Sequence, residues 1–75
     1  MTKQELQIVF AKHLRELLVR ENLSINELAK AINISPRAIE YYLNCKRLPK
    51  INIVSDISYY FNVSIDSLFR EGISF

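Results

Sequence analysis

The chain has 75 residues, 49% of them apolar, with one glycine, two prolines and a formal net charge of +2. That length supports one core that buries roughly 60% of the unfolded surface, so a single domain over 1–75 is expected. No run approaches the roughly 18 apolar residues of a membrane span. The polar start Met1-Thr2-Lys3-Gln4-Glu5 lacks the apolar centre of a secretory leader, and the lone Cys45 and lone His13 build neither a disulfide nor a structural zinc site. The expectation is a cytoplasmic protein without metal, cofactor or membrane contact.

Scarce glycine and proline disfavour tight hairpins and point to an all-α chain of short helices. Thr2 and Glu5 have capping-box spacing ahead of the stripe Leu6, Phe10, Leu14, Leu17 and Leu18, which predicts a first helix ending near Glu21-Asn22. Ser24 and Glu27 repeat the box before Ile25, Leu28, Ala29 and Ile32, a second helix of barely two turns. Asn33 suits a left-handed helix terminus. Ser35 then caps a third helix with Pro36 in its first turn and Ile34 and Ile39 placed as a hydrophobic staple. Two short helices joined by a turn of about four residues have helix-turn-helix spacing.

A fourth stripe runs through Ile51, Val54, Ile57, Ser58 and Phe61 to a stop at Asn62, and Ser64 caps a fifth short helix to about Phe69, with Val63 and Leu68 as its staple. Gly72 ends ordered structure or permits a turn.

Charge is concentrated in the middle. Lys30, Arg37, Lys46, Arg47 and Lys50 face only Glu40 in that stretch, a net +4, and the rest of the chain sums to −2. A basic centre on a slightly acidic body is the footprint of a polyanion-binding face. Helical spacing puts Ile39, Tyr42 and Leu43 on one side of the third helix and Arg37, Glu40, Tyr41 and Asn44 on the other. On that outward side Arg37 can donate in parallel to a guanine, Tyr41 can touch a thymine methyl or a phosphate, and Glu40 can accept from a cytosine amino group. Pro36 and small Ala38 complete the base-reading candidates. Ser24, Asn26, Lys30, Ser35, Asn44, Lys46, Arg47 and Lys50 are the phosphate candidates. Arg37 and Glu40 equally have the spacing of an ordinary surface ion pair, and Lys46, Arg47 and Lys50 that of a solvated loop. His13 reads as a surface or partly packed side chain without a role, and Cys45 as incidental.

From about Phe10 to Phe69 the chain resembles the Cro and phage-repressor (XRE-type) helix-turn-helix family. The resemblance rests on Leu14-Arg15-Glu16-Leu17, Leu23-Ser24 with Glu27-Leu28-Ala29, Ile34-Ser35 with Ile39, Asn44 with Lys46-Arg47, Pro49 with Ile51, and Asn62-Val63-Ser64 with Asp66-Ser67-Leu68-Phe69. It implies a compact five-helix, lambda-repressor-like fold whose second and third helices read double-stranded DNA, with 70–75 as a tail. The chain departs from the family pattern in three ways. Ile25 replaces a glutamine that holds a phosphate. Asn33 and Cys45 stand where glycine is usual, and Cys45 would be strained in a left-handed conformation. Leu18 and Leu43 replace an arginine–glutamate pair, which predicts an apolar contact between the first and third helices.

A sequence-specific transcriptional regulator, repressor-like and acting as a homodimer on a palindromic operator, is the reading these features favour. One short helix reads only a few base pairs, which is why two copies are needed. Ile53, Tyr60, Ile73 and Phe75 are the dimer-interface candidates; alternatively the tail folds back on its own core. Ile25 and Glu40 favour the rival reading, a protein-interaction module such as an antirepressor or adaptor with little DNA affinity. An enzyme is disfavoured by the isolated histidine, scattered carboxylates and absence of a glycine-rich phosphate loop.

Overall fold

The computed structural model describes all residues from Met1 to Phe75. Five helices follow one another: α1 (Lys3–Arg20), α2 (Ile25–Ala31), α3 (Pro36–Leu43), α4 (Ile51–Phe61) and α5 (Ile65–Phe69). Four of the five starts follow from a side-chain cap. Thr2 Oγ1 accepts from the Glu5 amide at 3.1 Å and the Glu5 carboxylate accepts from the Thr2 amide at 3.0 Å. Ser24 and Glu27 close the same reciprocal box at 3.0 and 2.9 Å. Ser35 and Ser64 cap α3 and α5 through the amides of Ala38 and Ser67. Lys50, ahead of α4, contributes no side-chain cap.

The helix ends share one device. Asn22, Asn33, Cys45 and Asn62 all have φ between 51° and 58°. After each, the next residue's amide reaches back five positions: Leu23 to Leu18, Ile34 to Ala29, Lys46 to Tyr41 and Val63 to Ser58, at 2.8–3.0 Å. These are Schellman turns, in which a left-handed residue lets the chain satisfy the helix's last carbonyls. Asparagine visits that region most readily after glycine. Cys45 does adopt the left-handed conformation, and its thiol donates weakly to the Gln7 carbonyl at 3.7 Å.

Thirteen buried residues form the core. Helix α1 packs on α3 and α5, α2 on α3, and α4 on α5. Phe10 is the hub, stacked on Phe69 at 5.2 Å between ring centroids and edge-on to Tyr42 at 6.2 Å. Leu18 and Leu43 both lie in this core, so the residues that replace the charged pair are apolar and buried, as expected.

His13 departs from its sequence reading: it is 1% exposed. Its Nδ1 lies 3.0 Å from the Leu68 carbonyl and its Nε2 2.9 Å from that of Ile73. Carbonyls only accept, so a neutral ring donates to one of them and an imidazolium to both. Helical spacing puts His13 on the apolar side of α1, three residues after Phe10 and four before Leu17, but does not reveal its partners, which are backbone groups 55 and 60 residues away. The tail therefore returns to α1. Phe75 meets the His13 ring edge-on at 5.2 Å, the Arg20 guanidinium lies over the Phe75 ring, and the Phe75 amide donates to Glu16. Two arginines of α1 also tie it to other helices' last carbonyls, Arg15 to Leu43 of α3 and Arg20 to Phe61 of α4, which places cations at negative helix ends.

Candidate nucleic-acid interface

Helix α3 is positioned by its apolar side. Ile39 is fully buried, and Tyr42 and Leu43 are 6% and 9% exposed. The four-residue turn after α2 begins at Ile32, passes through left-handed Asn33 and ends at the cap Ser35. Ile34 and Ala38, both half-buried, pack against the core beside it.

The outward side stands free of the body. Arg37, Glu40 and Asn44 are exposed and Tyr41 is half-buried. Arg37 forms no ion pair with Glu40; the two ion pairs present, Arg20–Glu21 and Arg70–Asp66, lie away from α3. Arg37 thus keeps its full set of donors. Pro36, at the first position of α3, is exposed at the same end.

Beyond α3 the chain enters the basic loop. Of the residues that follow the four left-handed positions, Leu23, Ile34 and Val63 pack against the core, whereas Lys46 is exposed. A Schellman turn commonly buries an apolar side chain there, and this one instead holds a lysine outward on an ordered backbone. Arg47 lies over the Tyr41 ring, 4.9 Å from its centroid. A cation over an aromatic face is attracted by the ring's electron density, so the Arg47 guanidinium is drawn to the same side of α3 as Tyr41. Tyr42, on the other side of α3, has its phenol pushed above the usual value by burial, with Arg47 opposing.

The remaining phosphate candidates are distributed around this surface. Asn26, Lys30, Asn44 and Lys50 are exposed. The Ser24 and Ser35 hydroxyls accept cap bonds; the Ser35 O–H is left free to donate, whereas the Ser24 hydroxyl also engages the Glu27 carboxylate. The four dimer candidates do not form one exposed patch. Ile53 and Phe75 pack partly on the core, Ile73 is half-buried, and Tyr60 is 44% exposed beside a Tyr59 that is 90% exposed. The tail thus takes the fold-back course. Sequence reasoning passed over Arg15, whose Nη2 donates to the Leu43 carbonyl at 3.3 Å. The available signal was its spacing: three residues before Leu18, it shares the α1 side that faces α3.

Residues 14–68 match a helix-turn-helix family of the XRE type, and the chain belongs to that family. Over 54 residues, 72% of this chain and 70% of the relative, it is 32% identical to an uncharacterized HTH-type transcriptional regulator, YvzC, of Bacillus subtilis. Its fold matches the SOS-response transcriptional repressor LexA from Eubacterium rectale with a TM-score of 0.87 at 21% identity, over all of this chain and 81% of that one. A hypothetical transcription factor from Neisseria, NHTF, matches with a TM-score of 0.82 at 18% identity, over 91% of this chain and 76% of the other. The family match and the Bacillus subtilis relative support a DNA-binding regulator of the helix-turn-helix type, and the two solved structures show the fold. No helix is long and apolar enough to cross a membrane.

Proposed function

We propose that this protein is a sequence-specific transcriptional repressor that binds a two-fold related operator as a homodimer in the cytoplasm, acting as one DNA-binding unit without enzymatic activity. The observation that carries the reading is the free outward side of α3, with Arg37, Glu40 and Asn44 exposed and without ion pairs, flanked by Lys46 and the Arg47–Tyr41 stack. Arg37 and Tyr41, one helical turn apart, enter the major groove; Pro36 and Ala38 let the start of α3 approach closely. Lys46, Arg47 and Lys50 neutralise phosphates on the flank, with Ser24, Asn26, Lys30, Ser35 and Asn44 as further backbone contacts. Two copies place their α3 helices about 34–36 Å apart, in successive major grooves. Tyr60 and Ile53 on α4 remain the dimer contacts proposed for this arrangement.

The test is a binding titration against selected and random duplexes at two salt concentrations, with the wild-type chain and two variants. Arg37→Ala is expected to cost about 1–3 kcal/mol on the selected site and to relax preference at one position, whereas Lys46→Ala weakens all duplexes alike. Equal losses on both kinds of duplex would refute the division of labour. A chain that ignores DNA even in dilute salt would favour the protein-interaction reading that Ile25 and Glu40 support.

A further inference from the structure

Helix α1 lies outside the helix-turn-helix, yet one of its side chains reaches the reading surface. Arg15, Ile25, Arg37, Glu40, Tyr41 and Asn44 line one shallow depression between α1, the start of α2 and the outward side of α3. Arg15 is exposed, and its Nη2 donates at 3.3 Å to the carbonyl of Leu43, the last residue of α3. A guanidinium has five N–H donors. Anchoring through one holds the group beside the depression it lines, and the other donors form no hydrogen bond within the chain. Arg15 forms no ion pair.

The chemistry of the lining selects the ligand. Ile25 forms an apolar wall that neither donates nor accepts. The Tyr41 phenol and the Asn44 amide can donate. Glu40 is the single carboxylate against the two arginines, so the depression carries a net positive charge. Two guanidinium groups around a small open concavity match the planar, multidentate contact arginine makes with phosphate oxygens.

Resting on the DNA-binding reading above, we propose that Arg15 is a phosphate contact: anchored by the Leu43 carbonyl, its guanidinium clamps a backbone phosphate of the duplex against the end of α3. It fixes the depth and angle of α3 in the groove and carries no sequence information. Its position on α1 extends the contact surface beyond the helix-turn-helix and the basic loop.

The experiment compares wild type, Arg15→Ala, Arg15→Gln and Arg15→Lys in salt-dependent titrations on selected and random duplexes, with thermal unfolding of each variant as a folding control. Arg15→Gln keeps a donor for the Leu43 carbonyl and removes the charge. A phosphate contact predicts that both Arg15→Ala and Arg15→Gln lose about tenfold in affinity at 0.1 M salt on both duplexes, and that the slope of log affinity against log salt shrinks by about one per bound chain. Arg15→Lys keeps the slope. If Arg15→Gln restores wild-type affinity, or if the slope is unchanged in Arg15→Ala, Arg15 only braces α3 and the proposal is overturned while the DNA-binding reading stands. A wild-type chain that binds neither duplex overturns both.

Discussion

Replacing Leu43 with glutamate tests how α3 is attached to α1. Leu43 is 9% exposed and Leu18 8%, and both belong to the core in which these helices meet. Leu43→Glu forfeits about 1.5–3 kcal/mol of apolar burial and strands a charge, and an unpartnered buried charge costs about 3–5 kcal/mol. A chain of this size has total stability of roughly 4–11 kcal/mol, so the single variant is expected to lose a large fraction of its stability. With a urea dependence of about 1 kcal/mol per molar, its midpoint falls by about 4 M or more, or the chain unfolds outright. Leu18→Arg alone costs less, because its long stem can carry the charge to the surface. Together the two recreate an ion pair, and the double variant is expected to recover about 2 kcal/mol relative to the sum of the singles. It should still not exceed the wild type, since a packed apolar pair is at least equivalent to a buried ion pair. Urea unfolding of all four proteins, followed by circular dichroism, gives the cycle. Additivity within about 0.5 kcal/mol would mean that Leu18 and Leu43 do not meet.

His13→Phe leaves the Leu68 and Ile73 carbonyls without their partner, at about 1–3 kcal/mol for each buried group left unsatisfied. Hydrogen exchange at the Phe75 amide, now bonded to Glu16, should accelerate in that variant; unchanged protection would show that the tail is held by other contacts. The Glu27 carboxyl is held below its ordinary value near 4.5 by the Ser24 amide and then by the Ser24 hydroxyl. Its folded value lies below its unfolded one, so its contribution is complete above about pH 4.5 and fades as pH falls through the depressed value. Glu27→Gln should flatten the acid limb of stability against pH in that window, and an unaltered limb would deny the capping box its part.

Much of the fold is legible because its determinants are local. Caps at Thr2, Ser24, Ser35 and Ser64 and the apolar stripes behind them mark helix starts to within a residue, since a capping side chain bonds amides only two or three positions ahead. The buried and free sides of α3 follow from helical period alone. The tail was not legible, because its partners lie on α1, and Ile73 and Phe75 carry equal apolarity whether they meet a second chain or their own. Arg15 was hidden for a related reason: a surface arginine has the same spelling whether or not a helix ends beside it.

The linear order of residues thus determined where five helices begin and stop, which side of each is buried, and that positive charge gathers around α3. Only the tertiary structure decided that His13 meets the Leu68 and Ile73 carbonyls, that the tail closes over α1, that Arg47 rests on Tyr41, and that Arg15 reaches the reading surface. The first set depends on bonds and periodicities spanning a few residues. The second depends on distances between groups tens of residues apart, which exist only after the core has formed.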